Sequence, residues 1–184
     1  MNYIYIAAAL VFLLALFLAY VASRPSEFRV ERVATIGSSP AAVFPHVNDL
    51  HQWEVWSPWA KMDPNARTTY EGPAAGVGAV FGWSGNNKVG QGRMTITDSR
   101  PNQSLQIRLD FEKPMKCTNT AKFTFQPAGD QTTVTWSMTG TYNFVGKLFN
   151  VIMDCDGMVA KQFDQGLAAM KSIVERSRET VPAR

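Results

Sequence analysis

Two hydrophobic periods divide this chain. From about Asp154 to Arg178, Val159, Phe163, Leu167, Met170 and Val174 recur at steps of four, four, three and four. At about 3.6 residues per turn these positions share one side of a helix. Lys161, Gln165, Lys171, Glu175 and Arg176 fall largely on other sides. Most of the chain before this helix, after its first segment, alternates with the strand period of two. Leu105, Ile107, Leu109 and Phe111 oppose Gln106, Arg108, Asp110 and Glu112. Ala121, Phe123 and Phe125 oppose Lys122, Thr124 and Gln126, and Val134, Trp136 and Met138 oppose Thr133, Thr135 and Ser137. Such alternation predicts antiparallel strands with one wet face.

The remaining elements follow from local signals. Phe28 to Ile36 reads as a first strand. Ser38-Ser39-Pro40 opens a short helix, because serine suits an N-cap and proline the first turn. Pro45 limits its length, and a second short helix is expected over Asn48 to Trp53. Strands are expected over Ala66 to Glu71, Val77 to Trp83 and Val89 to Thr97, with a hairpin turn at Ser84-Gly85-Asn86-Asn87. Pro101-Asn102 and Gly129-Asp130 are further turns, and Gly146 to Met153 is a short helix before the long one. The order is strand, two short helices, about six antiparallel strands and a long helix. It predicts an α+β fold in which a curved antiparallel β-sheet wraps the C-terminal helix.

A different pattern precedes all this. Tyr3 to Ala22 carries no charge and would span roughly 30 Å as a helix, the thickness of a bilayer's hydrocarbon core. Tyr3, Tyr5 and Tyr20 lie near its ends, where amphipathic rings favour the interface. A cleaved signal peptide would carry a positive flank and a shorter apolar run, so a transmembrane anchor is the favoured reading. The chain then divides into an N-terminal anchor and linker over 1–25 and a domain over 26–184. Arg24, Arg29 and Arg32 follow the run and none precedes it, which places the domain in the cytoplasm beneath a single-pass span.

Composition narrows the function classes. Of 184 residues, 46% are apolar and 18% charged, enough for a real core. The net charge of +3 is dispersed, with no basic stripe for nucleic acid. The histidines are His46 and His51, and the cysteines Cys117 and Cys155. Their spacing matches no metal-binding motif, no cofactor motif is present, and the cysteines read as free thiols.

Several stretches resemble one known family. Ile36-Gly37-Ser38-Ser39-Pro40 with Val43-Phe44 is similar to its strand-to-helix entry. Asn48-Asp49-Leu50 to Trp53, then Trp56-Ser57-Pro58-Trp59, is similar to its tryptophan-rich stretch. Val89-Gly90-Gln91-Gly92-Arg93-Met94 resembles its glycine-bearing strand, and Thr132 to Trp136 with Gly140 its last strand. Gly157, Phe163, Gly166-Leu167 and Lys171 resemble its final helix. In this order, over about 28–178, they resemble the START-like helix-grip superfamily (SRPBCC), nearest its polyketide cyclase/dehydrase and lipid-transport group. The resemblance implies a helix-grip fold that binds hydrophobic ligands. It implies no particular reaction, because the superfamily spans lipid carriers, receptors and aromatic cyclases.

A curved sheet gripping a helix leaves room for a cavity. Phe81, Trp83, Met94, Ile96, Leu109, Phe111, Phe123, Trp136 and Met138 are expected to line it from the sheet, and Phe163, Gly166, Leu167 and Met170 from the helix. Gly166 either leaves space for a ligand or permits close helix–sheet packing. Trp53, Trp56 and Trp59 either pack one end of the core, or wall an aromatic pocket or touch the membrane interface. Arg32, Tyr70 and Tyr142 are the candidate inward polar groups. No nucleophile–base pair is visible, and no residue is assigned a catalytic role. The expected function is membrane-anchored binding of a lipid, quinone or aromatic molecule. The alternatives are a cyclase or dehydratase and a ligand-free partner-binding module. No protein partner is indicated. Protease should spare the domain in intact cells and remove it in inverted vesicles; the opposite pattern reverses the orientation.

Overall fold

The structure, a computed structural model, describes residues 2–179. Helix α1 spans Asn2–Ser23. It is long and apolar enough to cross a membrane, and its side chains are almost all exposed. Strand β1 (Glu27–Ile36) follows, then four short helices: α2 (Pro40–Val43), α3 (Pro45–Asn48), α4 (Trp53–Trp56) and α5 (Pro58–Met62). Strands β2 (Arg67–Glu71), β3 (Val80–Ser84), β4 (Gln91–Arg100), β5 (Ser104–Lys113), β6 (Cys117–Ala128) and β7 (Gln131–Thr141) come next. Helices α6 (Phe144–Met153) and α7 (Cys155–Glu179) end the described chain.

All strand pairings are antiparallel, and the seven strands lie in the order β1-β7-β6-β5-β4-β3-β2. The register breaks between Gln91 and Gly92 and between Ile96 and Asp98. Such irregularities bend a strand and curl its sheet. Gly92 sits at one of them, where a Cβ would lie 2.7 Å from the Trp83 ring and 2.6 Å from the Asp110 carbonyl. The indole lies across the strand because no side chain stands there.

Helix α7 lies on the inner face, parallel to β1. The Arg32 guanidinium donates to Asp164 Oδ2 (3.1 Å), Lys171 Nζ to the Thr35 carbonyl (2.6 Å), and the Gly37 amide to Glu175 Oε1 (2.7 Å). These polar ties set the helix's position along the strand, and its apolar stripe supplies the burial. Phe163, Leu167, Met170 and Val174 are buried, and Val159 is partly buried. The contact merges with Ile36, Phe123, Phe125, Val134 and Trp136 into one core.

Several expected boundaries shift by a few residues, and two stretches change in kind. The helix expected over Asn48 to Trp53 is interrupted: Asp49 is extended (φ −98°, ψ 111°) and caps a 3-10 turn over Leu50–Gln52. Prolines 40, 45 and 58 each open a new helix, so this stretch advances in single turns. The strand expected from Val77 begins at Val80, because Gly76 and Gly78 hold positive φ (80° and 89°) and Val77 points to solvent.

His46 belongs to this stretch, and its carbonyl accepts the Trp56 indole N–H at 2.8 Å. Partial burial of the His46 imidazole disfavours its charged form and lowers its pKa. The unfolded chain then binds more protons than the native one as pH drops below about 6.5. Stability should decline across that window, and His46→Asn should flatten the decline in urea midpoints taken from neutral to mildly acid pH. An unchanged slope removes His46 from the linkage.

Candidate functional site

The inner face is not filled evenly. On β5, Leu105 and Ile107 are fully buried, yet Leu109 and Phe111 further along the same face are only partly so. On β3, Ala79 is buried just before the strand begins, and Phe81 and Trp83 are partly open. The exposure marks an apolar cavity of about 320 Å³ at one end of the sheet. That size falls in the range of small-molecule sites. Phe81, Trp83, Met94, Leu109 and Phe111 form the sheet wall, with Ile107 and Ala121 deeper. Trp53, Trp59 and Ala60 from α4 and α5 form a second wall. Trp136, Met138, Val159 and Phe163 close the inner end, and the exposed lining residues Glu54, Ala60, Asn87, Lys88, Lys113 and Pro114 mark the mouth.

Aromatic stacking and indole hydrogen bonds position these walls. Phe163 lies flat on Trp136, with ring centroids 3.9 Å apart and planes 10° apart. Trp59 meets Trp136 edge-on at 5.9 Å. The Trp53 indole donates to the Val47 carbonyl and the Trp83 indole to the Val89 carbonyl, both at 3.0 Å. The buried Trp136 indole N–H has no hydrogen-bond partner among the described residues.

The two carboxylates of the lining have other duties. Asp63 accepts the Asn65 and Asn86 amides (3.2 and 2.6 Å), and Glu54 accepts the Tyr70 hydroxyl (2.8 Å). Tyr70 also stacks on His51 at 4.0 Å. Burial, with the Glu54 carboxylate beside it, pushes the Tyr70 phenol above its ordinary pKa.

Of the residues expected around a cavity, Phe81, Trp83, Met94, Leu109, Phe111, Trp136, Met138 and Phe163 border it. Ile96, Phe123, Leu167, Met170 and Gly166 do not. The first four are almost fully buried in solid core deeper under the helix. At Gly166 a Cβ would meet Trp136 Cζ3 at 2.9 Å, Pro58 Cδ at 3.3 Å and Trp56 Cζ3 at 3.4 Å. This glycine permits contact and leaves no ligand space. The cavity is therefore displaced from the middle of α7 to its first turns.

The inward polar candidates also lie elsewhere. Arg32 is half-exposed and paired with Asp164. Tyr70 lies outside the cavity lining, on the β2 edge beside His51. Tyr142 stacks on Phe28 at 4.5 Å and donates its hydroxyl to Asp156 Oδ1 at 2.6 Å. Burial and that carboxylate raise the phenol's pKa strongly. Asp156 also accepts Asn150 Nδ2 at 2.9 Å, so the group ties α6 to α7 and β7. Cys117 and Cys155 are free thiols.

Sequence reasoning left Val159, Ala60, Ile107 and Ala121 out of the lining. Val159 and Ala121 were in the right phase, but phase does not show how far along an element the gap falls. The tryptophan-rich stretch divides between packing and the cavity wall. Trp56 is core, while Trp53 and Trp59 reach the cavity.

A sheet curled around a C-terminal helix, with an apolar cavity at one end, defines a START-like helix-grip domain of the SRPBCC superfamily. The chain belongs to the family described as polyketide cyclase / dehydrase and lipid transport, whose sequence profile matches residues 27–175. Solved structures share the fold at low identity. Protein MLL2253 from Mesorhizobium loti is 14% identical with a TM-score of 0.61, over 81% of this chain and 98% of that one. Protein CV1439 from Chromobacterium violaceum is 13% identical with a TM-score of 0.57, over 83% and 99%. Ara h 8.0201 is 15% identical with a TM-score of 0.58, over 82% and 99%. No curated protein sequence matches the chain.

Gly166→Ala tests the packing role. Alanine favours the helix by about 1 kcal/mol, but overpacking against Trp136 costs about 1–3 kcal/mol. A net loss of roughly 1 kcal/mol is expected in denaturant midpoints. A clear gain in stability would mean that space exists there.

Proposed function

We propose that this chain is a membrane-anchored binding protein for a hydrophobic small molecule: a lipid, quinone or other aromatic compound. The apolar cavity carries the reading. Its walls are almost wholly aromatic, aliphatic and methionine side chains. Entry of an apolar ligand removes surface from water at about 25 cal/mol per Å². Binding is favoured over turnover because the carboxylates at the wall, Glu54 and Asp63, already accept internal hydrogen bonds.

The same reading makes α1 a single-pass span with the domain on its cytoplasmic side. Its support is the uncharged run of α1 and the arginines that follow it.

Trp53, Trp59, Trp83 and Trp136 line the cavity, so occupancy should alter tryptophan emission. Full-length protein in nanodiscs should show saturable quenching by a short-chain quinone. Ala60, exposed at the wall, offers a way to block the site with little effect on the fold. Ala60→Phe should weaken the quenching at least several-fold with unchanged thermal stability. Quenching that never saturates, or that ignores the substitution, removes the cavity from the function.

A further inference from the structure

Helix α6 turns its apolar side outward. Phe144, Val145, Phe149, Ile152 and Met153 are exposed, Ile152 by 65%, although the helix is part of a folded domain. Its opposite side holds Gly146, which is buried, and Asn150, which bonds Asp156. A helix with a broad outward apolar face has a partner that prefers oil to water.

Its position says which partner. α6 packs on the domain-proximal end of α1, where Val21 is fully buried and Lys147 Nζ donates to the Ala22 carbonyl at 3.3 Å. Ser23 ends the apolar span. With α1 taken as the span, the outward face of α6 would lie at the depth where hydrocarbon gives way to headgroups.

The topology extends this surface. β1 starts here, with Glu27 opposite Thr141 and the Tyr142 amide donating to the Ser26 carbonyl. In an antiparallel sheet the same end then carries the β3–β4 connection, with Lys88, and the β5–β6 connection, with Lys113, Met115 and Lys116. All four of these side chains are exposed. Of the carboxylates here, Asp63, Asp154 and Asp156 accept internal hydrogen bonds; Glu27 and Glu112 are exposed. Asn87, Lys88, Lys113 and Pro114 also form part of the exposed rim of the cavity.

We infer that this end of the domain is a membrane-interfacial surface: α6 and Met115 enter the headgroup region of the bilayer that α1 crosses, the lysines meet anionic headgroups, and the cavity opens directly onto the lipid. The inference rests on the proposed anchoring by α1 and deepens it. An amphipathic helix of this kind sinks about 5–10 Å into the boundary. Lysines beside it gain from an anionic leaflet. Ligand exchange then avoids crossing water.

The test uses the full chain with Cys117 and Cys155 replaced by serine, in nanodiscs of phosphatidylcholine and phosphatidylglycerol. Single cysteines at Leu14, Asn102, Met115 and Ile152 carry an environment-sensitive fluorophore. Asn102 lies at the opposite end of the sheet, between β4 and β5. Doxyl-labelled lipid should quench positions 14, 115 and 152, and aqueous iodide should quench 102 several-fold more than 152. Label in lipid at 14, with 115 and 152 behaving like 102, leaves the anchor standing and overturns the interfacial surface. Label in water at 14 overturns the anchor; lipid quenching at 152 would then still support the surface, and water there overturns both. Protection from iodide at 152 without lipid quenching means another protein covers α6, which also overturns the inference. Without phosphatidylglycerol, lipid quenching at 115 should fall several-fold; unchanged quenching removes the lysines from the contact.

Discussion

The stack of Phe163 on Trp136 sets how closely the long helix approaches the sheet. The rings lie 3.9 Å apart, which is full contact. One turn further on, Gly166 lets the Trp136 ring edge, Trp56 and Pro58 meet the helix backbone with no Cβ between them. From there to Val174 the interface is solid. Toward the start of α7, Val159 joins Phe163 at the cavity, facing Phe81, Met94 and Leu109 of β3 to β5 across it. Close packing at one place thus produces the open space beside it, since a bent sheet and a straight helix cannot remain in contact over their whole length.

The short helices α2 to α5 complete the enclosure. Prolines break them into single turns, and each turn aims an indole. Trp53 and Trp56 are fixed by carbonyls of α3, and Trp59 reaches over the cavity. Several carboxylates of this end are spent on structure. Asp63 holds the β3–β4 connection, and Asp156 joins three elements through Tyr142 and Asn150. The cavity is left apolar, which suits sequestration of an oily molecule.

The end of the sheet that holds the cavity mouth is also the end from which α1 and α6 emerge. β1 and β7 pair antiparallel, so the start of β1 and the end of β7 share one end of the sheet, and the alternating direction of the other strands brings the β3–β4 and β5–β6 connections to that same end. A site that takes its ligand from a bilayer would gain from that coincidence, because the cavity mouth and the apolar helix α1 lie on one side.

Much of this was legible in the residues. Strict alternation in β5, β6 and β7 showed which side chains face the core, because the strand period leaves only two faces. The stripe from Val159 to Val174 identified α7, and the uncharged run identified α1. The order of motifs identified the family. Depth along each element was not legible. Ile96 and Met94, or Leu105 and Leu109, share a face and a chemistry, yet only Met94 and Leu109 border the cavity. Arg32 and Tyr142 had the inward phase, but Asp164 and Asp156, distant in sequence, decided what they do. Periodicity is a local property of one segment and specifies its inner side. Where the gap falls, whether Gly166 gives space or contact, and which polar group is already satisfied depend on the meeting of segments far apart in the chain, which tertiary packing alone determines.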